Sequence, residues 1–552
     1  MPLEISLVDA LPSDDACYLA LKSRDARFDG RFFTGVTSTG IYCRPVCRVK
    51  TPRQSNCKFF AQAAQAEAGG FRPCLRCRPE LAPRQAQPQW STEDASHTLA
   101  HQAAALLQSV VTHSDDHAGS SGAQIAQVAA KLGISERHLG RIMQAQFGIS
   151  PLQMVQTHRL LAAKSLLTDT LLPMHQVAAS SGFGSLRAFN AAFVQHYRLP
   201  PSKLRKAVRH SSGKSNEKVI DQRMSDAPLS VAQQTAAAAQ GEIALQLGFR
   251  PPYDRLALLG FWQQRQLDTM ECIALRAHSM QARGSKGFKN APFDVIRSLS
   301  LPHAGKLLRG WLHCTIDAEQ HLLRVRASDT LAPALPLLVA RLRAAFDLDA
   351  DPAAIDEALG PPFAGSAGMR VPGSVDGFEI AVRAILGQQV TVAAGRTFTQ
   401  RVLQTFGAPI QTPWPEVSRC FPTPQALAQA SPERLGALGI VRQRQAALIA
   451  LSQAVDSGAL DLNSAAQPLQ TIEQLKALPG IGDWTAHYIA MCALRWPDAF
   501  PAGDIALHNA LGLREIKSPA QRARQAEQLS QAWRPWRSYA VLRIWAGAYS
   551  PG

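Results

Sequence analysis

"LKALPGIGDWTAHYIAM", residues 475–491, reads as a helix, a Leu-Pro-Gly-Ile-Gly hairpin and a second helix. Two glycines two apart let the backbone N–H groups of Gly480, Ile481 and Gly482 point outward at the start of the second helix. Such a cradle holds an anion, for example a DNA phosphate. Downstream, "FPAGDIALHNAL", residues 500–511, sets Asp504 behind a Pro-x-Gly turn. Two other acids lie nearby: Asp483 is expected to cap the helix after the hairpin, and Asp498 to sit in a Trp-Pro-Asp turn. From Gly373 onward the pattern is almost wholly helical, as in "RQRQAALIALSQAV", so an all-α final domain is expected. Between Ile243 and about Arg343, short alternating stretches such as "IALRAHSM" and "HLLRVRAS" suit strands.

The whole chain has 552 residues, which is the size of several domains rather than one core. Lys and Arg exceed Asp and Glu by 16, which favours a polyanionic partner. No apolar run approaches the ~18 residues of a spanning helix, and no signal-like segment opens the chain, so a cytoplasmic protein without membrane contact is expected. Residues 81–98 and 209–240 lack periodicity and read as linkers; Thr112–Gly122 reads as a surface loop.

Between the linkers one plan occurs twice. "AQVAAKLGISERHLGRIMQAQFG" (126–148) and "MHQVAASSGFGSLRAFNAAFVQHY" (174–197) each place glycine at a sharp turn and serine at the cap of the next helix. Arg137, His138 and Arg141 in the first copy, and Arg187 and Asn190 in the second, fall on the outer faces and are candidate DNA contacts. Leu139, Ile142, Leu186, Phe189 and Phe193 are expected in the core.

Five of the ten cysteines lie in one short region. "IYCRPVCRVK" (41–50) carries Cys43 and Cys47; "GFRPCLRCRPE" (70–80) carries Cys74 and Cys77. C-x3-C followed by C-x2-C closes tetrahedrally around Zn²⁺ more readily than it pairs as disulfides in a reducing compartment. Cys57, between the pairs, could substitute for one of them, but "NCKFF" reads better as a strand start. A zinc-held sulfur is a thiolate at neutral pH and therefore a nucleophile. Spacing does not choose between Cys43 and Cys47 as that nucleophile.

These residues resemble known families. The C-R-P-x-C and F-R-P-C-x-R-C motifs are similar to the zinc domain of the Ada adaptive-response family. That likeness implies that Cys43 takes methyl groups from DNA methylphosphotriesters, with Cys47, Cys74 and Cys77 as the other zinc ligands, and Arg44 and Arg48 holding the DNA backbone. Methylating one of four thiolates around Zn²⁺ raises the net charge of the site from minus two to minus one, which weakens repulsion of phosphates and raises DNA affinity. Residues 96–207, with "GISPLQMVQTHRLLAAKSLL" and "LPPSKLRK", resemble the AraC-type DNA-binding domain.

The hairpin with Asp504, together with "LGFRPPYDRLALLGFW", "AVRAILGQQVTVA" and "WRPWRSYAVLRIW", resembles the AlkA branch of the helix-hairpin-helix glycosylases. The likeness implies that Asp504 is the catalytic carboxylate, that Phe261, Trp484, Tyr488 and Trp545 form an aromatic pocket for an alkylated base, and that Gly480, Ile481 and Gly482 bind DNA. Trp484 stands where strand-cleaving relatives carry lysine, so no strand cleavage is expected. Gln389 occupies the position of the family's intercalating leucine, and Ile505 that of an aromatic residue. No P-C-H-R occurs, so the second methyltransferase domain of the Ada family is not expected in this chain.

The expected architecture is multidomain. It runs from a small α+β zinc domain (1–84) to an all-α AraC-type double helix-turn-helix (92–208) and a linker (209–240). An α+β AlkA-like N-terminal domain (241–360) and an all-α helix-hairpin-helix glycosylase domain (361–552) follow. The implied protein binds Zn²⁺, double-stranded DNA and RNA polymerase, and is a monomer. The competing reading is a transcriptional regulator whose glycosylase fold only binds DNA.

Overall fold

In the computed structural model of the protein, the described residues are 13–24, 28–47, 49–74, 76, 77, 79, 82, 99, 100, 102–104, 106, 107, 121–170, 172–205, 242–275, 293–303, 305–464 and 466–549. The linker 209–240 and nearly all of 81–98 lie outside them. So do residues 112–120 of the expected surface loop; Ser121 and Gly122 open a helix instead. The chain forms an N-terminal and a C-terminal unit. Among the described residues no helix is long and apolar enough to cross a membrane.

The N-terminal unit begins with helix α1 (Asp14–Ser23) and strands β1 (Phe33–Val36), β2 (Ile41–Cys43) and β3 (Cys57–Phe60), followed by α2 (Ala63–Ala68) and β4 (Arg72–Pro73). The sheet order is β3-β1-β2-β4. β1 pairs antiparallel with β2 and β3, while β2 and β4 run parallel.

Two helix-turn-helix modules follow, α3 (Ser121–Lys131) with α4 (Glu136–Phe147), and α6 (Met174–Ser180) with α7 (Leu186–Tyr197), joined by α5 (Pro151–Asp169). Gly133 and Gly182 take φ of +66° and +79° at the two turns, a region that favours glycine. Ser135 and Ser185 accept the N–H groups of His138 and Ala188 as helix caps. Leu139, Ile142, Phe189 and Phe193 are buried as expected. Leu186 is not: it is the first residue of α7 and stays exposed, one turn before the core reaches Phe189.

The C-terminal unit pairs β5 (Glu242–Gly248), β6 (Glu271–Leu275), β7 (Phe293–His303), β8 (Lys306–Asp317) and β9 (Leu322–Ser328) in the order β5-β9-β8-β7-β6. Helix α8 (Arg255–Gln263) lies between β5 and β6 in the chain. Inward residues alternate along β5 and β9, the two-residue period of a sheet with one covered face. Among the described residues beyond Gly373 the elements are helices apart from one short strand pair, Ala408–Pro409 with Arg419–Cys420. α9 (Gly377–Leu386), α10 (Val392–Phe406), α11 (Arg442–Asp456), α12 (Pro468–Lys476), α13 (Asp483–Cys492), α14 (Ile505–Ala510) and α15 (Arg537–Trp545) carry the site. Their apolar faces, among them Ile385, Leu386, Leu403, Leu448, Leu475 and Ile489, meet in one core.

Candidate active site and metal centre

Strand pairing assembles the metal centre. Tyr42 of β2 lies opposite Pro73 of β4, and the Cys74 N–H donates to the Tyr42 carbonyl at 2.9 Å. Cys43 and Cys74, each one step beyond this register, therefore leave parallel neighbours side by side. Tight turns return Cys47 and Cys77 to the same point, the Cys47 N–H donating to the Arg44 carbonyl at 3.1 Å. All four Sγ atoms lie within 4.8 Å of one another. That spread fits a tetrahedron of sulfurs about 2.3 Å from zinc. The Arg44 N–H faces Cys77 Sγ and the Arg76 N–H faces Cys74 Sγ, each at 3.4 Å, so backbone donors support sulfurs carrying negative charge. Cys43, Cys47 and Cys74 are buried and Cys77 is half-buried, so burial does not single out Cys43.

The expectation that Arg44 holds DNA is corrected. Its side chain is 2 % exposed and paired with Asp29, Nε to Oδ1 at 2.8 Å, while Nη1 donates to the Cys77 carbonyl at 3.2 Å. A guanidinium committed inside the domain braces the metal loop instead. Arg48 lies outside the described residues. Two further supports have no local sequence signal. Buried Lys164 of α5 donates from Nζ to the Cys74 carbonyl at 3.1 Å. Glu67 of α2 accepts from the Tyr42 hydroxyl at 2.9 Å and sits 3.0 Å from His196 Nε2. On the helix-turn-helix modules, Arg137, Arg141, Arg187 and Asn190 are exposed. His138 is half-exposed, with its Nδ1 2.7 Å from Arg141 Nη2.

The C-terminal unit contains a cleft of about 1110 Å³ lined by Phe261, Trp484, Tyr488, Asp504 and Trp545 and edged by Gln389, Gly480, Ile481 and Gly482. Asp504 caps α14, with Oδ1 accepting the Leu507 N–H at 2.9 Å. Its carboxylate also accepts two indole donors, Trp484 Nε1 at 2.7 Å and Trp545 Nε1 at 3.2 Å. Three donors from three elements fix both oxygens at the cleft wall. Trp484 and Tyr488, one helical turn apart on α13, stack with ring centroids 5.3 Å apart and planes at 10°, and Trp545 lies 6.2 Å from Tyr488. Burial pushes the Tyr488 hydroxyl well above the usual phenol value, so the ring meets the cleft uncharged. Phe261 lines the cleft, yet the Arg265 guanidinium covers one face of its ring, 3.7 Å from the centroid.

The hairpin sits between α12 and α13. Gly480 has φ of +76°, and a Cβ there would meet Ala447 Cβ and the Gln443 carbonyl at 3.3 Å, so any other residue is strained. Gly482 is the N-cap of α13, and no side chain caps that end. Asp483 is therefore not the cap: it is the first helical residue, its carboxylate 3.6 Å from Lys476 Nζ. Asp498 is buried and bound by Arg537, Nε to Oδ1 at 2.7 Å. Gln388 ties the hairpin to the α9–α10 corner, donating to the Gly480 carbonyl at 2.9 Å and to Thr485 Oγ1 at 3.0 Å. Next to it Gln389 is exposed with φ of +53°, at the tip of that corner.

On the cleft wall lies an ion network that sequence reading missed. Arg297 and Arg383 are both shared by Glu271 and Glu379. Burial acts to raise the Glu379 carboxyl, but Arg297 and Arg383 outweigh it and hold it below the usual carboxylate value. Only the i,i+4 spacing of Glu379 and Arg383 is visible along the chain.

Family models cover most of the chain. The metal binding domain of Ada matches residues 16–80 and a helix-turn-helix domain 128–207. The AlkA N-terminal domain matches 244–376, and the HhH-GPD superfamily of base excision DNA repair proteins 382–535. A Mycobacterium tuberculosis protein described as the "probable bifunctional transcriptional activator/DNA repair enzyme AlkA" is 33 % identical over 545 residues, 97 % of either chain. The DNA-3-methyladenine glycosylase 2 of Escherichia coli is 36 % identical over 54 % of this chain and 95 % of its own. The regulatory protein Ada of Salmonella typhimurium is 37 % identical over 26 % of this chain and 35 % of its own. With the four-sulfur site, both helix-turn-helix modules and the hairpin cleft present in one polypeptide, the chain belongs to the family of bifunctional transcriptional activator/DNA repair enzymes of the AlkA type.

Proposed function

We propose that this protein joins two responses to alkylated DNA. Its C-terminal unit is a monofunctional glycosylase that excises alkylated purines such as 3-methyladenine from double-stranded DNA. The observation that carries this reading is the Asp504 carboxylate, held by the Trp484 and Trp545 indoles on a cleft of base-accepting size beside the hairpin. The lesion must leave the stack to reach it. Phosphates bind the backbone N–H groups of Gly480, Ile481 and Gly482, and Gln389 fills the gap left in the duplex. Trp484, Tyr488 and Trp545 receive the base, with Phe261 at the pocket edge. As the glycosidic bond breaks, Asp504 stabilises the positive charge growing on the sugar and orients the attacking water. Trp484 has no amine, so no covalent link to the sugar forms and the strand is not cut.

The N-terminal unit takes methyl groups from DNA methylphosphotriesters at Cys43. The metal of this site is zinc, held by Cys43, Cys47, Cys74 and Cys77, and when bound it keeps sulfur in the thiolate form at neutral pH. The Cys43 sulfur forms an S–CH₃ bond as the O–CH₃ bond breaks, and the phosphodiester anion leaves. The less negative site then tolerates DNA better, and Arg137, His138, Arg141, Arg187 and Asn190 read a promoter. RNA polymerase as the partner, a monomeric state, cytoplasmic action and domain limits at 84, 92–208, 241–360 and 361–552 belong to the same reading.

Base release from alkylated duplex DNA tests the glycosylase half. The wild-type chain should liberate 3-methyladenine and Asp504→Asn should not; equal release by both would remove Asp504 as the catalyst.

A further inference from the structure

Within the cleft the cations are unevenly matched. Arg297 and Arg383 are neutralised by Glu271 and Glu379, and Arg396 lies 3.4 Å from Asp268. Arg265 also lines the cleft, but among the described residues no carboxylate lies within ion-pair distance of it. Its plane rests on the Phe261 ring, and Nη1 donates to the Phe261 carbonyl at 3.0 Å. Nε and Nη2 have no protein partner among the described residues. Arg265 thus occupies a ring face that would otherwise receive a cationic base, and it adds positive charge to the pocket. Its charge reaches Tyr488, where it opposes the effect of burial on the hydroxyl.

We infer that Arg265 sorts the bases this cleft accepts: its open edge donates to an uncharged purine bearing a carbonyl acceptor, and its charge disfavours a purine that is itself cationic. An Arg edge matches the O6 and N7 acceptors of a purine. A guanidinium held flat on a ring keeps that edge oriented. Cationic bases are then received by the Trp484, Tyr488 and Trp545 faces alone. Arg265 therefore sets the balance between two substrate classes. This inference rests on the glycosylase reading above.

The test uses the full-length protein and two duplexes of one sequence, carrying either 7-methylguanine, which is cationic and whose N7 acceptor is blocked by the methyl group, or hypoxanthine, which is neutral and offers both O6 and N7. Single-turnover release is measured for wild type, Arg265→Met and Arg265→Lys. Arg265→Met should lower hypoxanthine release about tenfold or more, the worth of one charged hydrogen bond, and raise 7-methylguanine release. Arg265→Lys keeps the charge without the fork, so it should lose hypoxanthine release and gain nothing on 7-methylguanine. A ratio of the two rates that moves by less than about tenfold in Arg265→Met overturns the inference, because a merely structural role slows both lesions alike. If Arg265→Met does not fold, retention of hypoxanthine release by Arg265→Lys overturns it instead. Failure of the wild type to release 3-methyladenine from alkylated duplex DNA would fell the glycosylase reading, and this inference with it; intact 3-methyladenine release with no hypoxanthine release, or release of both test bases with an unmoved ratio, fells the inference alone.

Discussion

The Trp484 indole donates to Asp504 Oδ2 at 2.7 Å, so the ring that stacks on Tyr488 also anchors the carboxylate. Base recognition and charge stabilisation are therefore mechanically joined. Trp484→Phe keeps an aromatic face but removes the donor. Single-turnover base release should fall about tenfold with little change in duplex affinity, since one hydrogen bond to a charged group is lost from an intact pocket.

Asp504→Asn leaves an oxygen that still caps α14 and accepts one indole, so the fold should hold. The carboxylate charge is what the developing sugar cation requires. Base release should fall by about a hundredfold or more, the scale seen when one electrostatic stabiliser is removed. A thermal unfolding curve superimposable on wild type would show that chemistry alone was lost.

Gly480→Ala forces a side chain into the left-handed region and against Ala447 and Gln443. A cost of about 1–2 kcal/mol is expected at this one position. The loop that would cradle a phosphate shifts with it, so affinity for undamaged duplex should weaken, and a fluorescence titration reads that directly.

Removing the metal should unfold the sulfur site, because four thiolates within 4.8 Å of one another repel without a cation between them. Chelation should release about one zinc per chain, the number a single tetrahedral site holds, and lower the melting temperature of the N-terminal unit. Cys43→Ser should abolish the one-methyl mass gain after exposure to methylphosphotriester DNA.

Glu379 supplies a pH dependence with a definite sign. Its folded-state carboxyl titrates below the usual value of 4.5 because Arg297 and Arg383 outweigh burial. A depressed carboxyl contributes stability that is complete above its unfolded pKa and is lost as pH falls through the folded one. Denaturant unfolding from pH 6 downward should show stability declining once pH drops below about 4.5. Glu379→Gln should flatten that slope while costing about 3–5 kcal/mol at neutral pH, since the buried carboxylate that pairs two guanidiniums is removed.

Much of the site was legible along the chain. The paired C-x3-C and C-x2-C, the glycine turns with serine caps and the Pro-Gly-Ile-Gly hairpin are local devices whose chemistry depends on a few consecutive residues. Each of them appears in the structure where its spacing placed it. Arg44 was misread for the converse reason: basic residues around a cysteine suggest an outward charge, but its partner Asp29 comes from a different segment. Leu186 was misread because a helix period does not say where the core begins to cover a helix.

The donor set for zinc, the duplicated turn, the hairpin and the carboxylate behind its Pro-x-Gly turn are all written into short runs of residues, because bond geometry and backbone conformation act over a handful of positions. That Trp545, 41 residues from Asp504, shares its carboxylate with Trp484 follows from the packing of the helices and from nothing local. Packing likewise makes Lys164 brace the zinc loop and lets Arg265 cover Phe261 while Arg297 and Arg383 are neutralised. Such partners meet through packing of distant segments, where burial makes an unpaired charge expensive and so selects which charges pair and which are left to face a ligand.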